Sequence, residues 1–171
     1  MKGYIQVYTG NGKGKTTAAL GLALRAAGAG LQVFIGQFLK NCPYSEIKAL
    51  ERHADQITLG QYGTGCFIVG KPADADREAA RRGFEHAKQT LLSGAFDVVI
   101  LDEITIATHY AMITVQELLD LISIKPDHTE LIITGRYADK QIIDRADLVT
   151  EMTEKKHYYA RGVEAREGIE K

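Results

Sequence analysis

Apolar residues in this chain fall into blocks of two kinds. Residues 4–8 (Y-I-Q-V-Y), 31–39 (L-Q-V-F-I-G-Q-F-L), 98–101 (V-V-I-L) and 131–133 (L-I-I) are short, nearly unbroken runs rich in β-branched and aromatic side chains. Such runs predict strands buried on both faces, as in a parallel sheet. Between them, apolar positions recur at helical spacing. They form the alanine-rich stretch from Ala18 to Ala27, the set Ala79, Ala80, Phe84, Ala87 and Leu91 within residues 74–92, and residues 113–122. Shorter helices are predicted over 45–53 and 140–145, the latter before the strand-like Asp147-Leu148-Val149. Gly28-Ala29-Gly30, Asn41-Cys42-Pro43 and Gly94 separate the blocks. Ile57-Thr58-Leu59 gives a short strand signal, and residues 60–72 read as a glycine-containing loop.

Strand and helix therefore alternate along the whole length. The pattern predicts one α/β domain over residues 1–171: a mainly parallel sheet with helices on both faces, which binds ligands at the carboxyl ends of its strands. Three polar segments follow strands at that edge, namely residues 9–17, 102–103 and 134–136.

The first reads T-G-N-G-K-G-K-T-T and joins a strand to a helix, the setting of a phosphate-binding P-loop. Gly10, Gly12 and Gly14 lack the Cβ atoms that would hold the backbone away from a ligand, so the loop can turn N–H groups inward. Lys15 adds a charge on the phosphates, the helix N-terminus adds its partial positive charge, and the Thr16 hydroxyl suits Mg²⁺. The strict pattern has glycine where Thr9 stands, so the first turn must be made differently, with Gly10 the candidate. Asp102-Glu103, delivered by the buried run before it, is a Walker B arrangement in which a carboxylate holds the metal directly or through water. Arg136 stands where a guanidinium could grip a phosphate or a base edge. Arg25, nearly three turns into the first helix, either reaches back along a nucleotide or faces solvent. Together these features indicate a P-loop NTPase (RecA-like) core.

Composition narrows the partners. A formal net charge of −1 leaves no basic face for nonspecific nucleic-acid binding. Two cysteines, Cys42 and Cys66, are too few for a disulfide framework and too far apart for a metal knuckle; they read as buried or idle thiols in a reducing, cytoplasmic setting. No leader-like segment opens the sequence, and Arg25, Gln32 and Gln37 interrupt the one long apolar stretch, so no membrane association is expected. Histidines 53, 86, 109, 128 and 157 lack metal-ligand spacing, and no nucleophile motif is present. Tyr158-Tyr159 suits either packing or stacking on a flat ligand.

With these residues in view, the chain resembles the ATP:corrinoid adenosyltransferases. The resemblance is carried by T-G-N-G-K-G-K-T-T-A-A-L-G at 9–21, Q-F-L-K at 37–40, V-I-L-D-E-I at 99–104, T-G-R at 134–136, A-D-L-V-T-E-M at 146–152, K-H at 156–157 and G-V-E-A-R-E-G-I-E at 162–170. It implies transfer of the 5′-deoxyadenosyl group of ATP to the Co(I) of a reduced corrinoid, with release of triphosphate. By position, Thr9, Gly10, Asn11, Gly12, Lys13, Gly14, Lys15, Thr16 and Thr17 would hold the triphosphate, with Arg25 and Arg136 on the nucleotide. Thr16, Asp102 and Glu103 would serve Mg²⁺ or Mn²⁺, and Lys15, Thr16 and Glu103 would carry catalysis. A homodimer and a flavin or flavodoxin-like reductant are further implications. Two departures concern the corrinoid side: family members usually carry an extension ahead of the first strand, and usually a tryptophan in the loop after Gly63, where this sequence reads G-T-G-C-F-I. The alternatives are another P-loop ATPase or phosphotransferase, which would yield ADP, and a noncatalytic nucleotide-binding module.

Overall fold

The computed structural model describes residues 2–65 and 70–171. In order, these form β1 (Ile5–Thr9), α1 (Lys15–Gly28), β2 (Val33–Phe38), α2 (Ser45–Leu50), β3 (Ile57–Tyr62), α3 (Asp74–Ser93), β4 (Val98–Asp102), α4 (Ile104–His109), α5 (Val115–Ser123), β5 (Glu130–Thr134), α6 (Lys140–Arg145) and β6 (Leu148–Glu151). Short 3₁₀ turns follow α2 and β6. The strands make one sheet, ordered β3-β2-β4-β5-β1-β6, in which every neighbouring pair is parallel.

Side chains alternate between the two faces of this sheet. Val33, Ile35, Val98, Ile100 and Ile132 pack with Ala19, Ala23, Ala26 and Ala27 of α1. Phe34, Phe38, Val99, Leu101, Leu131 and Ile133 meet Ala80, Phe84, Ala87 and Leu91 of α3 and Leu118 and Leu121 of α5. Because helices cover both faces, the central strands have no solvent side, which is why they read as unbroken apolar runs. Among the described residues, no helix is long and apolar enough to cross a membrane.

Three local features depart from the expected pattern. β3 continues through Gly60-Gln61 to Tyr62 because β2 offers it a full ladder, with Gly36 opposite Gly60 and Phe38 opposite Tyr62; pairing overrides the weak strand preference of these residues. Helix α4 had no sequence signal, since its N-cap is Glu103 at φ 62° with no capping side-chain bond. Cys42 is buried, but it is not a free thiol, against the expectation of two buried or idle thiols. Cys66, and the rest of the tryptophan-free segment 66–68, lie outside the described residues.

Helix α5 starts at a capping box. Thr114 Oγ1 accepts from the Glu117 N–H at 3.1 Å, and Glu117 Oε2 accepts from the Thr114 N–H at 2.8 Å. The backbone of Thr114, then the Arg81 and Thr114 side chains, lower the Glu117 carboxyl to about 2 from its ordinary 4.5. A depressed acid pKa stabilises the fold above the unfolded-state value and stops doing so as pH falls through the folded-state value. Glu117→Gln should therefore lower stability by up to about 1 kcal/mol at neutral pH. Urea midpoints of variant and parent should converge as pH drops from 4.5 to about 2.

Candidate active site

The carboxyl ends of β1, β2, β4 and β5 converge on one cluster. After β1 the direction changes at Gly10, φ 97°, and again at Gly14, φ 119°, the residue before α1; glycine alone adopts such backbone at little cost. Thr9 thus stays in the strand, buried, its carbonyl accepting from the Met152 N–H at 2.8 Å. Met152 also holds the loop from outside. The Gly12 N–H donates to its carbonyl at 2.6 Å, and a Cβ added at Gly10 or Gly12 would lie 2.5 or 2.6 Å from that oxygen. Asn11 Oδ1 accepts from the Glu154 N–H at 3.1 Å, and Lys13 Nζ donates to the Ile169 carbonyl at 3.2 Å. The segments after β6 therefore brace the cradle. Backbone N–H groups of Asn11, Lys13 and Gly14 have no partner among the described residues, so they remain available to an anion at the helix N-terminus.

Lys15 is buried, and its ammonium donates to the Gly10 and Gly12 carbonyls at 2.8 and 2.7 Å. Burial lowers its pKa, against the raising influence of Glu103. A desolvated cation held only by neutral carbonyls has much to gain from an anion.

Asp102, the last residue of β4, is fully buried. Its Oδ1 accepts from Thr16 Oγ1 at 2.9 Å and Thr134 Oγ1 at 2.7 Å; its Oδ2 faces Lys40 Nζ at 3.0 Å and Gln37 Nε2 at 3.4 Å. Glu103 follows in left-handed backbone, its N–H donating to Thr134 Oγ1 at 3.0 Å. Its Oε2 is buried with no hydrogen-bond partner among the described residues. Burial, and then Asp102, push its carboxyl above the ordinary range. Such an orphaned oxygen costs a few kcal/mol unless something is supplied to it. No group of three or more His, Cys, Asp and Glu side chains able to hold a metal occurs among the described residues. The donors here are a hydroxyl and two carboxylates, hard oxygens that suit Mg²⁺ or Mn²⁺, and a cation, the Lys40 ammonium, already stands among them.

The remaining expected residues are distributed unevenly. Arg136 is exposed after β5; its carbonyl accepts from Thr105 Oγ1 at 2.8 Å, its guanidinium has no hydrogen bond or ion pair among the described residues, and its charge is felt at Lys15 and Glu103. Thr17 lies exposed on the first turn of α1. Arg25 is exposed about 15 Å along the helix axis from Lys15 and its charge acts on Tyr8, so it is not brought to the cradle. Tyr158 is turned to the C-terminal segment, donating to Glu170 under the Arg166 guanidinium, while Tyr159 is exposed. Sequence reasoning missed Lys40, Gln37, Thr134 and Met152 as parts of the cluster. A signal existed for two of them: Gln37 and Lys40 are polar interruptions at the end of an otherwise apolar buried strand.

A glycine cradle closed by a lysine, facing a buried Asp at the end of β4, a parallel strand separated from β1 by β5, defines a P-loop nucleotide-binding protein of the α/β class. Comparison with known families agrees and goes further. The family model described as ATP:corrinoid adenosyltransferase BtuR/CobO/CobP matches residues 1–170, and the chain belongs to that family. It is 38% identical over 170 residues to the corrinoid adenosyltransferase CobA of Salmonella typhimurium, covering 99% of this chain and 86% of that one. The same figures hold for the corrinoid adenosyltransferase of Escherichia coli K12. A Sinorhizobium corrinoid adenosyltransferase is 36% identical over 172 residues, 99% of this chain and 80% of its own.

The packing at Gly12 makes a direct test. Gly12→Ala should weaken ATP binding at least about tenfold by calorimetry, because the methyl group must displace the Met152 carbonyl that braces the loop. Gly21→Ala, in open space on α1, should leave binding unchanged and raise stability by about 0.5–1 kcal/mol.

Proposed function

We propose that this protein transfers the 5′-deoxyadenosyl group of ATP to the Co(I) of a reduced corrinoid, cobalamin or cob(I)yrinic acid a,c-diamide, in adenosylcobalamin synthesis or salvage. The observation that carries the reading is the junction of cradle and acidic strand end, where Thr16 and Asp102 meet at 2.9 Å beside the unpartnered Glu103. That junction can take a polyphosphate with a divalent cation, and family membership supplies the chemistry done with it.

In the reaction, the cobalt electron pair attacks C5′, the Co–C bond forms, and the C5′–O bond breaks with its pair leaving on triphosphate. The nucleophile comes with the substrate, so no protein base or nucleophile is required. The protein holds C5′ in line with the cobalt and stabilises charge developing on the leaving group. Lys15 and the free N–H groups of Asn11, Lys13 and Gly14 receive the triphosphate, with Thr9, Gly10, Gly12 and Thr17 shaping the cradle. Thr16, Asp102 and Glu103 hold Mg²⁺ or Mn²⁺, which when bound neutralises phosphate charge. Arg136, unpaired at the cleft, contacts the nucleotide; Arg25 does so only if the nucleotide extends along α1. The chain works as one domain in the cytoplasm, as a homodimer, with a flavin or flavodoxin-like donor reducing the cobalt.

Incubation with ATP, Mg²⁺ and chemically reduced cobalamin should give a light-sensitive Co–C product and one triphosphate per turnover. ADP with phosphate, or no alkylated corrinoid, overturns the proposal in favour of phosphoryl transfer or a binding module. Lys15→Ala should lower triphosphate release at least about a hundredfold, a loss of roughly 2.7 kcal/mol of leaving-group stabilisation, with the circular dichroism spectrum unchanged.

A further inference from the structure

Lys40 has no part in the reading above, yet its ammonium is bonded inside the acidic cluster at the sheet edge. Its Nζ lies 3.0 Å from Asp102 Oδ2 and 3.3 Å from Thr16 Oγ1, so it bridges the carboxylate of β4 and the hydroxyl of the cradle. Its side chain is 17% exposed and that of Asp102 fully buried. A divalent cation bound by Thr16 and Asp102 would sit about 2.1 Å from each oxygen, between the same two groups. Two cations cannot share that space, since at such separations their repulsion amounts to several kcal/mol even at a protein-like dielectric.

The root of the side chain is fixed by the backbone around it. Leu39, immediately before it, is held at φ 60°, a strained conformation for a bulky residue. That backbone is locked by the Leu39 N–H donating to the Tyr62 carbonyl at 2.9 Å and the Asn41 N–H to the Gly65 carbonyl at 2.8 Å. Gly63 packs so closely that an added Cβ would lie 2.5 Å from the Lys40 nitrogen. From this anchor a flexible four-carbon stem carries an ammonium that can exchange one oxygen partner for another without a fixed bonding geometry, as a guanidinium could not.

We propose that Lys40 is the resident counter-cation of the metal position: without nucleotide it bridges Asp102 and Thr16 and shuts out free divalent ions, and the incoming metal–triphosphate complex displaces it onto the phosphate oxygens. It is a positioning residue that makes metal entry depend on nucleotide, and it then adds a second lysine charge to the leaving group. This rests on the assignment of Thr16 and Asp102 to the metal.

The test is a Mn²⁺ titration by electron paramagnetic resonance on the full chain, with and without ATP and with no corrinoid. The parent should bind free Mn²⁺ with Kd above about 1 mM and much more tightly once ATP is present. Lys40→Met should bind free Mn²⁺ at least about tenfold more tightly, Lys40→Arg should stay near the parent, and the gain should vanish in Lys40→Met/Asp102→Asn. The parent measurement stands even if Lys40→Met fails to fold: a free Mn²⁺ Kd below about 0.1 mM overturns the proposal. An unchanged affinity in folded Lys40→Met, or a gain that survives Asp102→Asn, also overturns it. If Asp102→Asn alone leaves Mn²⁺·ATP binding intact, the metal assignment itself falls, and this proposal with it. If that variant weakens Mn²⁺·ATP binding while Lys40→Met changes nothing, only the role of Lys40 is lost.

Discussion

Everything at the carboxyl edge of the sheet is arranged around one buried carboxylate. Asp102 closes β4, the strand between β2 and β5, and has no contact with solvent. A charge there is tolerable only if each lone pair finds a donor. The donors come from three other parts of the fold: Thr16 from the start of α1, Thr134 from the end of β5, and Gln37 and Lys40 from β2 and the turn after it. Gln61 of β3 extends the network by donating to Gln37 at 3.0 Å. The register of the sheet sets these meetings, because Gln37 pairs with Asp102 and Gln61 with Gln37 along the ladders. One residue of slip in any of these strands would turn the polar group to the other face.

Backbone strain is concentrated in the same place. Of the four non-glycine residues at positive φ among the described residues, Leu39, Glu103 and Tyr137 each stand after a strand, β2, β4 and β5. Leu39 and Glu103 redirect the chain one residue past the ends of β2 and β4, bringing Lys40 and the Glu103 carboxylate to the edge, while Gly135, φ 135°, and Tyr137 turn the chain on either side of Arg136. Such conformations persist only where surrounding contacts over-determine them. Here Gly63 fixes Leu39, while Gly135, whose Cβ would sit 2.3 Å from Thr105 Oγ1, lets the β5 exit lie against the start of α4.

Much of this was legible in the sequence, for physical reasons that can be named. Parallel strands covered on both faces leave continuous apolar runs, so β1, β2, β4 and β5 could be read to within a residue or two. The glycine spacing marked the cradle, and the acidic pair after a buried run marked its partner. Contacts made across the sheet were not legible. Thr134 belongs to the cluster only because β5 lies beside β4, and Met152 braces the loop only because β6 pairs with β1. The A-D-L-V-T-E-M block could be quoted as a family trait, but its work, closing the outer wall of the cradle through one carbonyl, depends on pairing that no local pattern encodes. Helix α4 escaped because a left-handed glutamate, not a capping side chain, starts it.

The loop with threonine in place of its first glycine acquires a physical sense from these contacts. With Thr9 kept in the ladder to Met152 and the turn displaced to Gly10, the two carbonyls nearest the turn, Gly10 and Gly12, face inward and seat the Lys15 ammonium. Lys15 and Lys40 thus reach the cluster on different supports, one resting on carbonyls and the other on a carboxylate. A site that transfers phosphoryl groups must also position an attacking hydroxyl or water at the terminal phosphate. A site that expels triphosphate needs none of that, only preorganised positive charge where the leaving group accumulates negative charge. The described cluster has that character: donors and cations aimed inward, with the Asp102 carboxylate bonded to Lys40 and to hydroxyl and amide donors.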